Sequence, residues 1–160
     1  MNTLKITTFQ AYLFWENIDK NLQNLGLRLS SIREKTDLIV LPEMFSTGFS
    51  MNPEKLAEEM GGKTMEWMEV QAKKFDCVIT GSLIIKEKDK YFNRLIWMRP
   101  DGTYEKYDKR HLFGLGDEDD HYSAGSKKLF VELKGWRICP VICYDLRFPV
   151  WLRNKNAEYD

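Results

Sequence analysis

The chain has 160 residues, 43% of them hydrophobic, and 24 Lys and Arg balance 24 Asp and Glu for zero formal charge. A chain of this length buries roughly 70% of its unfolded surface, enough for one core without staples. The charge balance excludes the basic footprint of a nucleic-acid or anionic-membrane binder, and the hydrophobic content excludes a disordered chain. No apolar run approaches the ~18 residues of a membrane span. The opening Met1-Asn2-Thr3-Leu4-Lys5 has no signal-peptide layout. Three cysteines suit a reducing cytoplasm better than a secreted disulfide framework.

In chain order, residues 4–7 alternate like a half-buried strand. Trp15, Ile18, Leu22, Leu25, Leu29 and Ile32 recur at helical spacing and predict an amphipathic helix over residues 15–34. Leu38-Ile39-Val40-Leu41 reads as a strand covered on both faces, stopped by Pro42, which cannot donate to a ladder. Residues 55–60 read as a helical turn. A second helix is expected from Thr64, as N-cap, through Met68, Ala72 and Phe75. Residues 77–80 form a short apolar strand ending at Gly81, and residues 82–87 and 91–98 pair as a hairpin. Arg99-Pro100-Asp101-Gly102 turns the chain into a strand over 103–107. Two further strands, 129–133 and 137–142, flank Lys134-Gly135-Trp136. The pattern is a single α/β domain with helices covering a sheet.

Several motifs fail on inspection. Gly61-Gly62-Lys63-Thr64 resembles the end of a phosphate-binding loop, but Ala57 stands where that loop needs glycine and no strand precedes it. Gly114-Leu115-Gly116 lacks the third glycine of a dinucleotide fingerprint, since Asp119 takes its place. Asp117-Glu118-Asp119-Asp120-His121 lacks the ligand offsets of a calcium loop and reads as a solvated acidic loop. Cys139 and Cys143, on one extended strand, would lie ~13 Å apart, too far for a disulfide or a shared zinc.

Three places combine a reactive side chain with an abrupt structural stop. Glu43 follows a buried strand and Pro42, where α/β folds build their sites. Lys109 follows a strand and precedes a glycine-containing loop. Cys143 ends an apolar run, in the layout of a nucleophile elbow whose following N–H groups bind an oxyanion. Each also has a plain structural reading, as a core thiol, a salt-bridge carboxylate and a surface ammonium. Their spacing leaves that choice open.

The segments Leu41-Pro42-Glu43-Met44-Phe45, Tyr107-Asp108-Lys109-Arg110-His111-Leu112-Phe113 and Val141-Ile142-Cys143-Tyr144-Asp145-Leu146-Arg147-Phe148-Pro149 resemble the three active-site blocks of the nitrilase, or carbon–nitrogen hydrolase, superfamily. Their wording is closest to the ω-amidase branch, whose members hydrolyse 2-oxoglutaramate and related ω-amides to a carboxylate and ammonia. The resemblance implies an α-β-β-α sandwich of which this chain holds the N-terminal part, with the later core strands absent. It implies Cys143 as nucleophile, Glu43 as general base and Lys109 as oxyanion partner. Glu118 is the fourth, positioning carboxylate, with Asp120 as rival. Tyr144, through its N–H, and Arg147 fall among the substrate- and oxyanion-binding positions. The resemblance further implies a small-molecule amide substrate, a homodimer, and neither metal nor organic cofactor. The alternatives are an amidohydrolase for N-carbamoyl compounds or deaminated glutathione, and an inactive fragment that acts only by chain pairing.

An amide is a poor electrophile with a poor leaving group, so a thioester route splits one hard step into two easier ones. A free thiol has pKa ~8.5. An ammonium at Lys109 is expected to favour the thiolate while Glu43 takes the proton.

Overall fold

Three strands, β1 (Ile6–Thr8), β2 (Leu38–Val40) and β3 (Val78–Glu87), lie side by side and parallel in a computed structural model that describes residues 3–160. Met1 and Asn2, the start of the segment read for a signal layout, lie outside the described residues. β3 turns back at Lys88, whose φ is +56°, into β4 (Lys90–Met98). The antiparallel run ends in β5 (Tyr104–Asp108), giving one sheet in the order β1-β2-β3-β4-β5. The C-terminal ends of β2 and β5 therefore open on the same edge of the sheet, which is where Glu43 and Lys109 leave it.

The two faces of the sheet carry different partners because strand residues alternate in direction. On one face, Ile39, Ile79, Leu83, Ile85, Ile96 and Met98 pack under α1 (Ile18–Leu29) and α3 (Lys63–Phe75). Full burial of Leu25 and Leu29 contributes about 2 kcal/mol each, so packing holds a 12-residue helix that would be marginal alone. On the other face, Leu38, Val78, Leu95, Trp97 and Tyr107 meet Val131, Leu133 and Ile138 from a two-stranded ladder, β6 (Val131–Leu133) with β7 (Trp136–Ile138). The layers run helices, sheet, second sheet, the α-β-β order of the expected sandwich. Two short helices, α2 (Pro53–Leu56) and α4 (Glu118–His121), sit in the connections, and α5 (Pro149–Leu152) lies near the C-terminus. Among the described residues no helix is long and apolar enough to cross a membrane.

The elements stand where the pattern puts them, but several bounds differ for local reasons. α1 is shorter than its apolar stripe. Asn17 caps it by accepting from the Lys20 N–H at 3.1 Å, and the Ser30 and Ser31 hydroxyls bond the carbonyls of Gly26 and Arg28. Trp15 is left 65% exposed ahead of the helix. Thr64 is not the N-cap of α3; Gly62 is, and Thr64 gives both its N–H and its hydroxyl to the Glu58 carboxylate. That helix N-terminus, the remnant of the rejected phosphate loop, is thus filled by the chain's own anion. β3 does not stop at Gly81 but runs through it. β7 ends at Ile138, and Pro140 follows where a ladder N–H would be needed.

Candidate active site

The Glu43 turn is seated on β3. The Leu41 N–H donates to the Thr80 carbonyl at 2.8 Å, and the Met44 N–H to the Ser82 hydroxyl at 2.9 Å. Met44 adopts φ +45°, and its carbonyl accepts from Thr47 and Gly48, closing the turn. Gly81 is required for this seating: a Cβ there would lie 2.7 Å from the Phe45 ring and 2.9 Å from the Leu41 Cβ. The turn projects the Glu43 carboxyl into the space beyond the sheet edge.

Lys109 enters from β5. Its N–H donates to the Asn93 carbonyl at 3.0 Å, and its own carbonyl accepts from Gly125 at 2.8 Å. The side chain is fully buried, and Nζ lies 2.7 Å from both Glu43 Oε1 and Glu118 Oε2. The Phe49 ring faces the same ammonium at 5.3 Å. Burial works against this charge, but Glu43 and Glu118 outweigh it and hold the Lys109 ammonium above its ordinary pKa.

Glu118 corrects the reading of its loop as simply solvated. It is fully buried, and its carboxylate also accepts the Phe113 N–H at 2.7 Å, while its neighbours Asp119 and Asp120 are exposed. Of the two candidates for the fourth carboxylate, Glu118 is therefore the one that reaches Lys109.

Cys143 sits on a turn with φ +41°, a left-handed conformation that costs a non-glycine residue roughly 1–3 kcal/mol and persists only when surrounding contacts enforce it. Asp145 supplies those contacts. Fully buried, it accepts from the Tyr107 hydroxyl at 2.7 Å, the Ile142 N–H at 3.2 Å, the His111 N–H at 2.9 Å and the His111 ring at 2.8 Å. His111 in turn stacks on Phe148 with centroids 3.7 Å apart. This network ties the Cys143 turn to the Lys109 segment.

Cys143 is exposed on its turn, and the Glu43 charge acts on its thiol. Burial of its sulfur pushes the thiol pKa up, the Glu43 charge pushes it further, and Lys109 pulls it down only in part. Lys109 acts in the expected direction and favours the thiolate, but burial and then Glu43 outweigh it.

Tyr144 follows the sulfur in sequence, and its ring meets Phe113 and Phe148 edge-on at 5.0 and 5.2 Å. Arg147 lies exposed, beside Arg110, His111 and Trp151. Among the described residues no hydrogen bond joins it to Asp145 or to the carboxylates. The structure brings Glu43, Lys109, Glu118 and Cys143 together; Arg147 stands outside that group. Among the described residues no group of three or more His, Cys, Asp or Glu is arranged for a metal ion.

Sequence reasoning missed Asn93. It is fully buried on β4, and its amide donates at 2.8 Å to both Glu43 Oε1 and Glu118 Oε1. The signal was present: asparagine is depleted in strands, and here it interrupts an apolar run.

Residues 5–159 match the family described as carbon–nitrogen hydrolase. The chain is 45% identical to the omega-amidase YafV of Yersinia enterocolitica, across 100% of this chain and 61% of that protein. It is 32% identical to the 2-oxoglutaramate amidase of Bacillus subtilis, across 96% of this chain and 60% of that protein. XC1258 of Xanthomonas campestris, described as a CN-hydrolase superfamily protein with an arsenic adduct in its active site, superposes with a TM-score of 0.91 at 45% identity; the match covers 96% of this chain and 58% of that one. The chain thus spans about three-fifths of the length of these relatives. With the fold, the extended match and the gathered side chains in agreement, this chain belongs to the carbon–nitrogen hydrolase family.

Proposed function

We propose that the chain carries the reacting side chains of an ω-amidase, hydrolysing a small ω-amide such as 2-oxoglutaramate to a 2-oxo acid and ammonia. One observation carries the reading: the Lys109 ammonium is clamped at 2.7 Å between Glu43 and Glu118, and the charge of that same Glu43 acts on the Cys143 thiol. The relatives named omega-amidase, at 43–45% identity, support the substrate class.

The chemistry follows from the placement. Glu43 removes the thiol proton as the sulfur attacks the amide carbonyl carbon. The carbonyl oxygen becomes an oxyanion, received by Lys109 Nζ and the Tyr144 N–H, donors of a kind whose loss costs ~3 kcal/mol of barrier stabilisation. The protonated Glu43 returns its proton to the departing nitrogen. The C–N bond breaks, ammonia leaves, and a thioester remains on Cys143. Glu43, again ionised, takes a proton from water as the water attacks the thioester. The C–S bond breaks, the proton held by Glu43 returns to the sulfur, and the carboxylic acid leaves and gives its remaining proton to solvent. Glu118 stays a fixed counter-ion to Lys109 throughout. Arg147, exposed on the Cys143 turn, is the cation available to a distal substrate carboxylate.

The same reading takes residues 1–160 as part of one carbon–nitrogen hydrolase domain, assembling as a homodimer in the cytoplasm, where an exposed nucleophilic thiol stays reduced. Ammonia release from 2-oxoglutaramate, compared with glutamine and N-carbamoyl-β-alanine, tests the substrate class. Preferential release from 2-oxoglutaramate is expected; release only from the carbamoyl compound would overturn the assignment.

A further inference from the structure

Of the four carboxylate oxygens at the site, the described residues supply nitrogen donors to three. Glu118 Oε1 accepts from Asn93 Nδ2 at 2.8 Å, and Glu118 Oε2 accepts from Lys109 Nζ and the Phe113 N–H, both at 2.7 Å. Glu43 Oε1 accepts from Lys109 Nζ at 2.7 Å and from Asn93 Nδ2 at 2.8 Å. Glu43 Oε2 is left without a nitrogen donor among the described residues. The two glutamates are chemically alike, so their division into a proton acceptor and a fixed anion must come from these donors.

Asn93 supplies the part of the pattern that Lys109 cannot. Both hydrogens of its amide are used, one on each carboxylate, while its own Oδ1 accepts nothing among the described residues. A buried amide oxygen without a partner costs roughly 1–3 kcal/mol, so the residue is not explained as packing. Its neutrality matters too. A second cation here would cancel the remaining negative charge of the pair and weaken the base; a carboxylate would add repulsion. An amide holds both anions in place without changing the charge of the site.

We propose that Asn93 is a positioning residue: with Lys109 it holds Glu43 by Oε1, so that Oε2 remains free for the Cys143 proton. The proposal rests on the amidase reading for the meaning of that proton transfer, but not for the geometry. Asn93 acts through Glu43 and not on the reacting atoms.

The test compares the near-isosteric variants Asn93→Leu, which removes the donor, and Asn93→Asp, which replaces it by an acceptor. Three readouts are taken: ammonia release, iodoacetamide alkylation of Cys143 across pH, and melting temperature. Loss of a hydrogen bond to a charged group predicts a fall in kcat of about 10- to 100-fold, with KM within about twofold and Asp worse than Leu. The ratio of the alkylation rate near pH 7, where the base must assist, to that near pH 10 should drop by about 10-fold in Asn93→Leu. A packing role predicts the reverse, since leucine fills the same space: kcat and the alkylation ratio would stay at wild-type values, and that result overturns the proposal. Should either variant fail to fold, Asn93→Ser, which can donate to only one carboxylate, is expected to give an intermediate ratio; a wild-type ratio there counts equally against the proposal. The two ideas fail separately. A wild-type chain that releases no ammonia but shows the Asn93-dependent alkylation sinks the amidase reading alone. A chain inactivated by Glu43→Gln yet indifferent to Asn93→Leu sinks the positioning role alone.

Discussion

Gly125→Ala reaches the site through the backbone and touches no reacting group, which makes its effect calculable from the structure. A Cβ at position 125 would lie 2.1 Å from the Asp108 carbonyl oxygen and 2.8 Å from the Asp108 carbonyl carbon and Cβ. Two of those atoms are backbone at the end of β5, so no side-chain rotation relieves the overlap. Restoring ordinary contact takes a shift of about 1 Å, either of residues 124–126 or of the Asp108–Lys109 backbone. The first breaks the Gly125 N–H bond to the Lys109 carbonyl; the second carries Lys109 with it. Overpacking of this kind costs about 1–3 kcal/mol, and the lost hydrogen bond about 1 kcal/mol more. At the site, moving Lys109 Nζ by that amount stretches both 2.7 Å ion pairs past good hydrogen-bond length. A 1 Å misplacement costs about 10²-fold in rate. Thermal unfolding and ammonia release read the two effects separately. A variant with wild-type melting temperature and wild-type kcat would refute the claim that this glycine lets the loop close on Lys109.

Other consequences are as concrete. The Cys143 thiol is held above its ordinary pKa by burial and then by Glu43, so its alkylation rate should keep rising with pH beyond the ~8.5 of a free cysteine; Glu43→Gln should bring the inflection down, and a wild-type inflection below that value contradicts the electrostatic account. Asp145→Ala removes the acceptor of four hydrogen bonds beneath the strained Cys143 turn, and should lower stability by about 2–4 kcal/mol, seen as a lower urea midpoint. Arg94, 1% exposed, is bidentate to Asp108 at 2.5 and 3.0 Å and bonds Glu87 at 2.6 Å. Arg94→Met leaves those carboxylates without their buried cation and should cost roughly 3 kcal/mol, near the low end for a broken buried pair because Glu87 is partly exposed; no change in the urea midpoint would contradict it. The Arg94 and Lys106 bonds hold the Glu87 carboxyl down at about 2. Its contribution is therefore present above the ordinary carboxylate range and is lost as pH falls through that range toward 2.

Much of the fold was legible because its signals are local. The stripe through Leu22, Leu25 and Leu29 and the unbroken run Leu38-Ile39-Val40 carry their periods in the chain itself, and both became buried elements. Their ends were less legible, since caps compete with the stripe: Ile32 packs on the core from outside the helix, held there after the serines close α1. Gly81 misled for a different reason. A glycine in a strand reads as a stop, yet here it marks close approach of the Glu43 turn, a contact made across about 40 residues of sequence. The site divides in the same way. Glu43 and Lys109 follow the ends of β2 and β5, and Cys143 opens a turn five residues beyond β7; all three were visible as candidates. Their union depends on Asp145, Ser82 and Gly125, whose bonds span distant stretches, and Asn93 shows its role only when both carboxylates are in place.

The gathering of a thiol, a base and an ammonium around one amide carbon is tested most directly by trapping the acylated enzyme. Rapid acid quench of the chain turning over 2-oxoglutaramate, followed by peptide mass spectrometry, should find the substrate acyl group as a thioester on the peptide containing Cys143, with none on Cys77 or Cys139. Cys143→Ala should abolish both adduct and ammonia release. Ammonia release that survives Cys143→Ala would contradict the account at its centre.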